Sequence, residues 1–271
     1  MNNPKFTILM PVYNREDLCL LFDRAVESVF SNSVRPDDFV LVVDGPVSGD
    51  FESKIFKYKN KYNIRPIWLT ERVGLTKALN IGLDQVSTEW TFRADGDDYN
   101  KPNRFSEQIR LIKCGYDLIG GSIREVDGDG NYIATKSAPV SEEAIREYAK
   151  YRNPFNHMTV AFRTSLVKKC GGYPDVYLKE DYALWALLLE AGAKVVNSEK
   201  TLVDATTGSG MYARRGGWKY VLSECYLQAH LVRCGIKGWG AAVAMGIFRS
   251  IIFIMPSLIR GRIYESFLRS R

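Results

Sequence analysis

Histidine is nearly absent: His157 and His230 are the only two in 271 residues. His157 has no second His or Cys at ligand spacing, so a zinc site there is rejected. The five cysteines, Cys19, Cys114, Cys170, Cys225 and Cys234, are odd in number and never spaced C-x-x-C. A disulfide framework is therefore not expected, and a reduced cytosolic setting with the thiols packed as small hydrophobes fits best. No G-x-G-x-x-G or G-x-x-x-x-G-K-[ST] follows the first apolar run, which argues against a dinucleotide fold and a P-loop. A sugar nucleotidyltransferase would also want a glycine-rich loop where Pro11-Val12-Tyr13-Asn14 stands. No charged segment followed by an apolar core precedes the strand pattern at Phe6, so no secretory signal is expected.

What is present is the composition of an ordinary folded chain, 46% hydrophobic and 25% charged, sized for one large domain with or without an appendage. The net charge of +6 is unevenly placed. From Thr206 onward ten Lys/Arg face only Glu224 and Glu265, a surplus of eight that leaves the rest of the chain at −2. A basic C-terminal part points to an anionic partner such as a membrane surface or phosphate. The basic residues cluster beside an apolar segment, not an aromatic-lined strand surface, so a nucleic-acid partner is not expected.

The apolar run Phe6–Val12 reads as a central parallel strand. Asn14 is expected to cap the following helix, with Glu16 and Asp17 in its first turn and Leu18, Leu21, Phe22, Ala25, Val26, Val29 and Phe30 on its apolar face. A second run, Phe39–Val43, ends at Asp44-Gly45. Strand, helix, strand implies a crossover and a parallel sheet. Ile64–Leu69 is a third expected strand, and the helix after Gly74 presents Leu75, Leu79 and Leu83, with Lys77 and Asn80 candidates for the crevice. In open α/β sheets ligands bind outside the carboxyl ends of the strands.

The run Trp90-Thr91-Phe92 reads as another buried strand, and Arg93-Ala94-Asp95-Gly96-Asp97-Asp98-Tyr99 leaves its end. Three carboxylates within four residues repel one another and are costly to bury unpaired. Oxygen ligands suit a hard cation such as Mg²⁺ or Mn²⁺, which keeps positions open for substrate phosphates. A solvated acidic turn is the plainer alternative. An EF-hand is not, because its twelfth position would be Ser106 instead of Glu.

Pro11-Val12-Tyr13-Asn14, Val42-Val43-Asp44-Gly45, Gly74-Leu75 with Asn80 and Gly82, and Asp95-x-Asp97-Asp98 with Pro102 and Arg104 follow one another in the order and spacing of the inverting family 2 glycosyltransferases. The resemblance covers roughly residues 5–205. It implies an α/β GT-A fold, a Rossmann-like, mostly parallel mixed sheet with helices on both faces. It also implies a UDP-sugar donor held by Pro11, Tyr13, Asn14, Asp44, Asp95 and Asp97, with Asp44 on the nucleotide base and Asp97 ligating Mn²⁺ or Mg²⁺; Lys77 joins them as a donor contact from its place on the helix after Gly74, with an exposed helix surface as the alternative. Val43 departs from the pattern, since many members carry an Asp there.

Asn153-Pro154-Phe155-Asn156-His157-Met158-Thr159 resembles a motif of the branch that builds bacterial O-antigen and exopolysaccharide units of the amylovoran type. That likeness places His157 near the acceptor or the diphosphate, although a lone His is commonly structural. Glu180-Asp181 resembles the family's acidic pair, whose Asp is the catalytic base; the plainer reading is two acids at a helix N-terminus. Asp98, Glu180 and Trp185 are expected at or behind the acceptor site. The branch implies a polyprenyl-diphosphate-linked sugar acceptor and peripheral attachment to the cytoplasmic face of a bacterial inner membrane. A polyprenyl-phosphate sugar synthase and a non-catalytic scaffold on a GT-A domain are the alternatives.

The catalytic domain is expected over residues 1–210 and a basic, apolar helical segment over 211–271. Arg214 and Arg215 suit a diphosphate clamp or a solvated pair. A helix with Trp218, Val221, Leu222, Cys225, Ala229 and Val232 on one face should follow. Trp239–Ile259 is about long enough to span a bilayer, but Arg249 and Pro256 interrupt it. A helix lying on an anionic membrane surface is favoured over one packed on the domain or a true span.

Overall fold

The computed structural model describes residues 3–207 and 216–255. In chain order it forms β1 (Phe6–Val12), α1 (Glu16–Phe30), β2 (Asp38–Val43), α2 (Gly49–Tyr62), β3 (Arg65–Trp68), α3 (Leu75–Asp84), β4 (Trp90–Arg93), β5 (Tyr99–Asn100), α4 (Arg104–Lys113), β6 (Leu118–Val126), β7 (Tyr132–Lys136), α5 (Glu142–Tyr148), β8 (Ala161–Arg163), α6 (Thr164–Lys169), α7 (Glu180–Glu190), β9 (Val195–Thr206), α8 (Trp218–Arg233) and α9 (Trp239–Ile254).

One mixed sheet runs in the order β3-β2-β1-β4-β8-β6-β9-β5, with β7 paired to β6. β1, β2, β3 and β4 are mutually parallel, and β8 inserts antiparallel between β4 and β6. The continuous apolar runs of the first two strands follow from burial on both faces. Phe6, Ile8, Met10 and Val12 of β1 and Phe39, Leu41 and Val43 of β2 enter one core with side chains of α1, α2 and α4. The alternate residues Leu9, Val40 and Val42 enter a second core with those of α3, α5, α6 and α7. Alternation along a strand sorts its side chains to the two helical layers. Gly82 lets α3 lie close on that second face: a Cβ there would stand 2.4 Å from Leu9 Cδ1 and 2.6 Å from Val42 Cγ2.

Local expectations are corrected at several points. Arg15, not Asn14, occupies the N-cap of α1 and no side chain caps it; Asn14 Oδ1 instead accepts from Ser48 N at 3.2 Å. Leu75 is exposed, while Leu79 and Leu83 are buried. Helix α2 was not anticipated, although Ser48 caps it through Phe51 N and Phe51, Ile55 and Tyr58 give it a buried face.

The larger correction concerns α8. Trp218 is 72% exposed and Leu222 and Cys225 also face outward, whereas Glu224, Leu227, Gln228 and Leu231 are buried. Tyr220, Val221, Leu227 and Leu231 still pack inward, and the glutamate buried beside them pairs with Lys179 and Arg249. Helix α9 packs antiparallel-hairpin fashion on α8 through Ala242 and Phe253, half-buries Met245 and Ile252, and leaves Trp239, Val243, Ile247, Phe248, Ile251 and Ile254 exposed. No helix among the described residues is long and apolar enough to cross a membrane. The expected domain boundary at residue 210, Arg214 and Arg215 lie outside the described residues, as do Pro256, Arg260 and Arg262.

Candidate active site

Because β2, β1 and β4 are neighbours, their carboxyl ends open side by side. Asp44, directly after β2, accepts from Val73 N at 2.7 Å and Gly74 N at 3.1 Å and is buried. It therefore pins the loop entering α3. Gly45 sits at φ +85°, where a Cβ would be 2.9 Å from Arg72 N, so only glycine admits that loop so closely. The loop brings the Arg72 guanidinium to 4.1 Å from the centre of the Tyr13 ring. Asn14 is exposed, Pro11 is buried within β1, and Lys77 is exposed on the first turn of α3.

The three carboxylates beyond β4 each find a different partner. Asp95 Oδ1 meets Arg93 Nη2 at 2.5 Å, and Asp97 Oδ2 meets Arg15 Nη2 at 2.5 Å. Asp98 turns inward, where its Oδ1 accepts from Thr206 N at 2.8 Å and its Oδ2 is buried without a hydrogen bond. Burial and the neighbouring Asp95 push the Asp97 carboxyl above its ordinary range despite Arg15. Burial, Asp97 and Asp95 push Asp98 well above its own. Among the described residues no three His, Cys, Asp or Glu side chains converge as a metal cage. Guanidinium groups and a backbone N–H answer the three carboxylates. The cluster nonetheless remains short of positive charge. It fits an ion held by one or two carboxylates and completed by substrate phosphates, with Asp97 the protein ligand nearest to hand.

Arg93 ends β4 with its guanidinium buried, donating to Ala94 O and Asp95. Its charge acts on Asp98, His157, Tyr173 and Glu180. Glu180 and Tyr173 in turn feel Asp95 and Asp181. Asp95 and the acidic pair opening α7 thus lie within electrostatic reach of one another and of Arg93. Asp181 Oδ2 accepts from Asn153 Nδ2 at 2.6 Å and its Oδ1 from Tyr182 N at 2.7 Å. Burial and Asp181 push the buried Glu180 carboxyl up to about 8.

His157 is held well below its ordinary pKa by burial and by Arg93. As a neutral ring it meets the Tyr173 hydroxyl at 3.1 Å and lies edge-on to Trp185 at 6.0 Å between ring centres. Trp185 is fully buried against Phe155, so it backs His157 and does not reach an acceptor. Asp95 is the link: it acts on Asp97 and Asp98 on one side and on Glu180, beside Asp181, on the other, while Arg93 acts on His157. The structure places Asp44 and Tyr13 at the rim beside Arg72, and leaves Lys77 on the exposed helix surface. The residues given no role from the sequence are Arg15, Arg72, Arg93 and Asn153. Arg93 carried a signal as a charged residue closing a buried strand, and Asn153 as the first residue of the motif that holds His157.

The family model described as Glycosyl transferase family 2 matches residues 7–171. The chain is 34% identical over 273 residues to the Escherichia coli UDP-Gal:alpha-D-GlcNAc-diphosphoundecaprenol beta-1,3-galactosyltransferase, covering 99% of this chain and 98% of that protein. It is 31% identical over 264 residues to the Erwinia amylovora amylovoran biosynthesis glycosyltransferase AmsE, covering 96% and 98%. In fold it is similar to S. aureus TarS 1–349 solved with UDP-GlcNAc, with a TM-score of 0.69, 17% identity, and coverage of 97% of this chain and 76% of that one. That likeness confirms the GT-A-like α/β architecture expected from the motifs. Near-complete coverage at more than 30% identity, on a chain whose strand ends carry the family's acidic motif, makes this protein a member of glycosyltransferase family 2.

Proposed function

We propose that the enzyme moves galactose from UDP-galactose to a GlcNAc unit carried on polyprenyl diphosphate, with inversion at the anomeric carbon. The observation that carries the chemistry is Asp181, oriented by Asn153 and within electrostatic reach of the same groups as Asp95 beyond β4. The sugar and the acceptor are taken from the E. coli relative, which matches over nearly its whole length.

In this reading the acceptor hydroxyl approaches the anomeric carbon opposite the diphosphate. The new C–O bond forms as the bond to UDP breaks, and Asp181 takes the hydroxyl proton, as a positioned carboxylate can. Asn153 and the Tyr182 N–H occupy one lone pair on each Asp181 oxygen and fix its direction. Tyr13, framed by Arg72 and Arg15, offers an aromatic face for the nucleotide, and Asp44 shapes that rim by holding Val73 and Gly74. Asp97, with Asp95 and Asp98 beside it, would hold Mn²⁺ or Mg²⁺, which supplies compensation for negative charge on the departing diphosphate. Arg93 donates to Asp95 beneath the carboxylates, and His157 packs against Tyr173 and Trp185.

The C-terminal hairpin is proposed to seat on an anionic membrane surface at the cytoplasmic face of the inner membrane. Trp239, Val243, Ile247, Ile251 and Ile254 recur at helical spacing along one exposed stripe of α9, and Trp218, Leu222 and Tyr226 line an exposed stripe of α8. Such contiguous apolar exposure marks an interaction face, and Lys219, Arg233 and Lys237 lie on or between the same helices.

The test is a donor screen with purified protein, Mn²⁺ and two acceptors, polyprenyl-diphosphate-GlcNAc and polyprenyl phosphate. The expected result is UDP release from UDP-galactose and an inverted galactosyl product on the diphosphate acceptor alone. Product on polyprenyl phosphate would make the enzyme a lipid-phosphate sugar synthase. UDP release from no donor would leave a scaffold.

A further inference from the structure

The C-terminal hairpin grips the two backbone segments that flank Asp181. On one side, α8 holds the turn that leads into α7. Ser223 Oγ donates to Tyr177 O at 2.5 Å, and the adjacent Glu224, 0% exposed, pairs through Oε2 with Lys179 Nζ at 2.8 Å. Between these two anchors Leu178 is held at φ +56°, a left-handed conformation that a non-glycine residue keeps only where its surroundings over-determine it. Lys179 is the N-cap residue of α7, two positions before Asp181. Its ammonium is enclosed by the Tyr220 ring at 4.1 Å and the Phe253 ring at 5.0 Å.

On the other side, Arg249 of α9 pairs with Glu224 Oε1 at 3.2 Å and donates a second bond to Tyr151 O. Tyr151 lies two residues before Asn153, whose amide donates to Asp181. One buried carboxylate thus joins both arms: Glu224 to Lys179 on the base's own helix, and Glu224 to Arg249 to the loop that orients the base. Burial pushes the Glu224 carboxyl up, but Arg249 and Lys179 together hold it below its ordinary range, as an ion pair.

We infer that Glu224, Arg249 and Ser223 are positioning residues for the catalytic carboxylate, so that the helical hairpin is a clamp that sets the aim of Asp181. This rests on the reading of Asp181 as the base. It also explains why a glutamate sits on the inner face of α8 among buried apolar residues. A buried pair of this kind is a poor source of stability but a sharp constraint on geometry. Anything that shifts the hairpin, including the seating of its apolar face, moves the base through the same three side chains.

The test uses the full-length enzyme, UDP-galactose and the diphosphate-linked GlcNAc acceptor. The variants are Arg249→Met, which leaves the Lys179–Glu224 pair in place, and Ser223→Ala, the milder change, which keeps the measurement open if the first fails to fold. UDP affinity is measured by calorimetry beside kcat and KM for the donor. The expected result is a fall in kcat of about 10- to 100-fold, the scale of a misplaced reacting group, with UDP affinity and donor KM unchanged. Asp181→Asn is run in parallel and should bind UDP and fail to turn over. If it fails as expected while Arg249→Met and Ser223→Ala keep wild-type kcat, the clamp is overturned and the base stands. If kcat and UDP affinity fall together, the hairpin acts on the whole site and the clamp is again overturned. If Asp181→Asn turns over normally, the base reading falls and takes the clamp with it.

Discussion

Arg15 and Arg93 explain how three carboxylates coexist beyond one strand. Each supplies a guanidinium at 2.5 Å to one acid, and the third is fed by a backbone N–H. The balance is incomplete, since Asp97 and Asp98 both stay above their ordinary range, so a cation arriving with a diphosphate has charge to neutralise. Asp97→Ala should therefore weaken UDP binding in Mn²⁺ on the order of 100-fold, ~2.8 kcal/mol, and leave binding without metal nearly unchanged. Calorimetry with and without Mn²⁺ checks this, and equal affinities for wild type and variant in Mn²⁺ would count against Asp97 as ligand. Glu180 offers a pH test. Its folded value of about 8 lies above an unfolded value near ~4.3, so between these limits the folded protein holds a proton that the unfolded chain has released. Its contribution to stability is fully present below the unfolded value and is lost as pH rises towards about 8. The wild type should thus lose stability relative to Glu180→Gln between about pH 5 and about pH 8.5, as read from denaturant midpoints. A pH-independent difference would contradict the assignment.

At the scale of elements, α3 and α8 show what sets the approach of a helix. Gly82 faces the methyl groups of Leu9 and Val42 inside a filled core, and neither neighbour has room to give. Gly82→Ala should cost roughly 1–3 kcal/mol through overpacking, more than the gain of about 1 kcal/mol in helix propensity. Urea unfolding measures it, and an unchanged or raised midpoint would show that α3 moves freely on the sheet. Helix α8 buries Glu224 alongside Val221, Leu227 and Leu231 and exposes Trp218. Its orientation is set by Lys179 and Arg249, which lie 45 residues before and 25 after Glu224 in the chain.

For the whole molecule, the sheet supplies a crevice at one end and the hairpin supplies an apolar face. The Ile247→Glu/Ile251→Glu double variant should reduce binding to anionic liposomes by about tenfold or more while UDP affinity is retained. Co-sedimentation at two salt concentrations measures this. Wild-type sedimentation by the variant would mean that the membrane, if it is met, is met elsewhere.

Much of this architecture was legible beforehand. Strands β1, β2 and β4 are continuous apolar runs ending in polar residues, and the ordered motifs around Asp44, Asp97 and Asp181 were enough to name a family and a fold. What the chain states by itself is periodicity and local chemistry: which segments bury both faces, where a strand stops, which acids stand together. It could not state which cation answers which acid, because Arg15 reaches Asp97 across 82 residues. Nor could it state the outward face of α8, because hydrophobic periodicity assumes that charge stays wet, and here two distant cations pair with a buried glutamate. Sequence patterns record what each segment prefers alone; partners from remote segments decide when that preference is overruled.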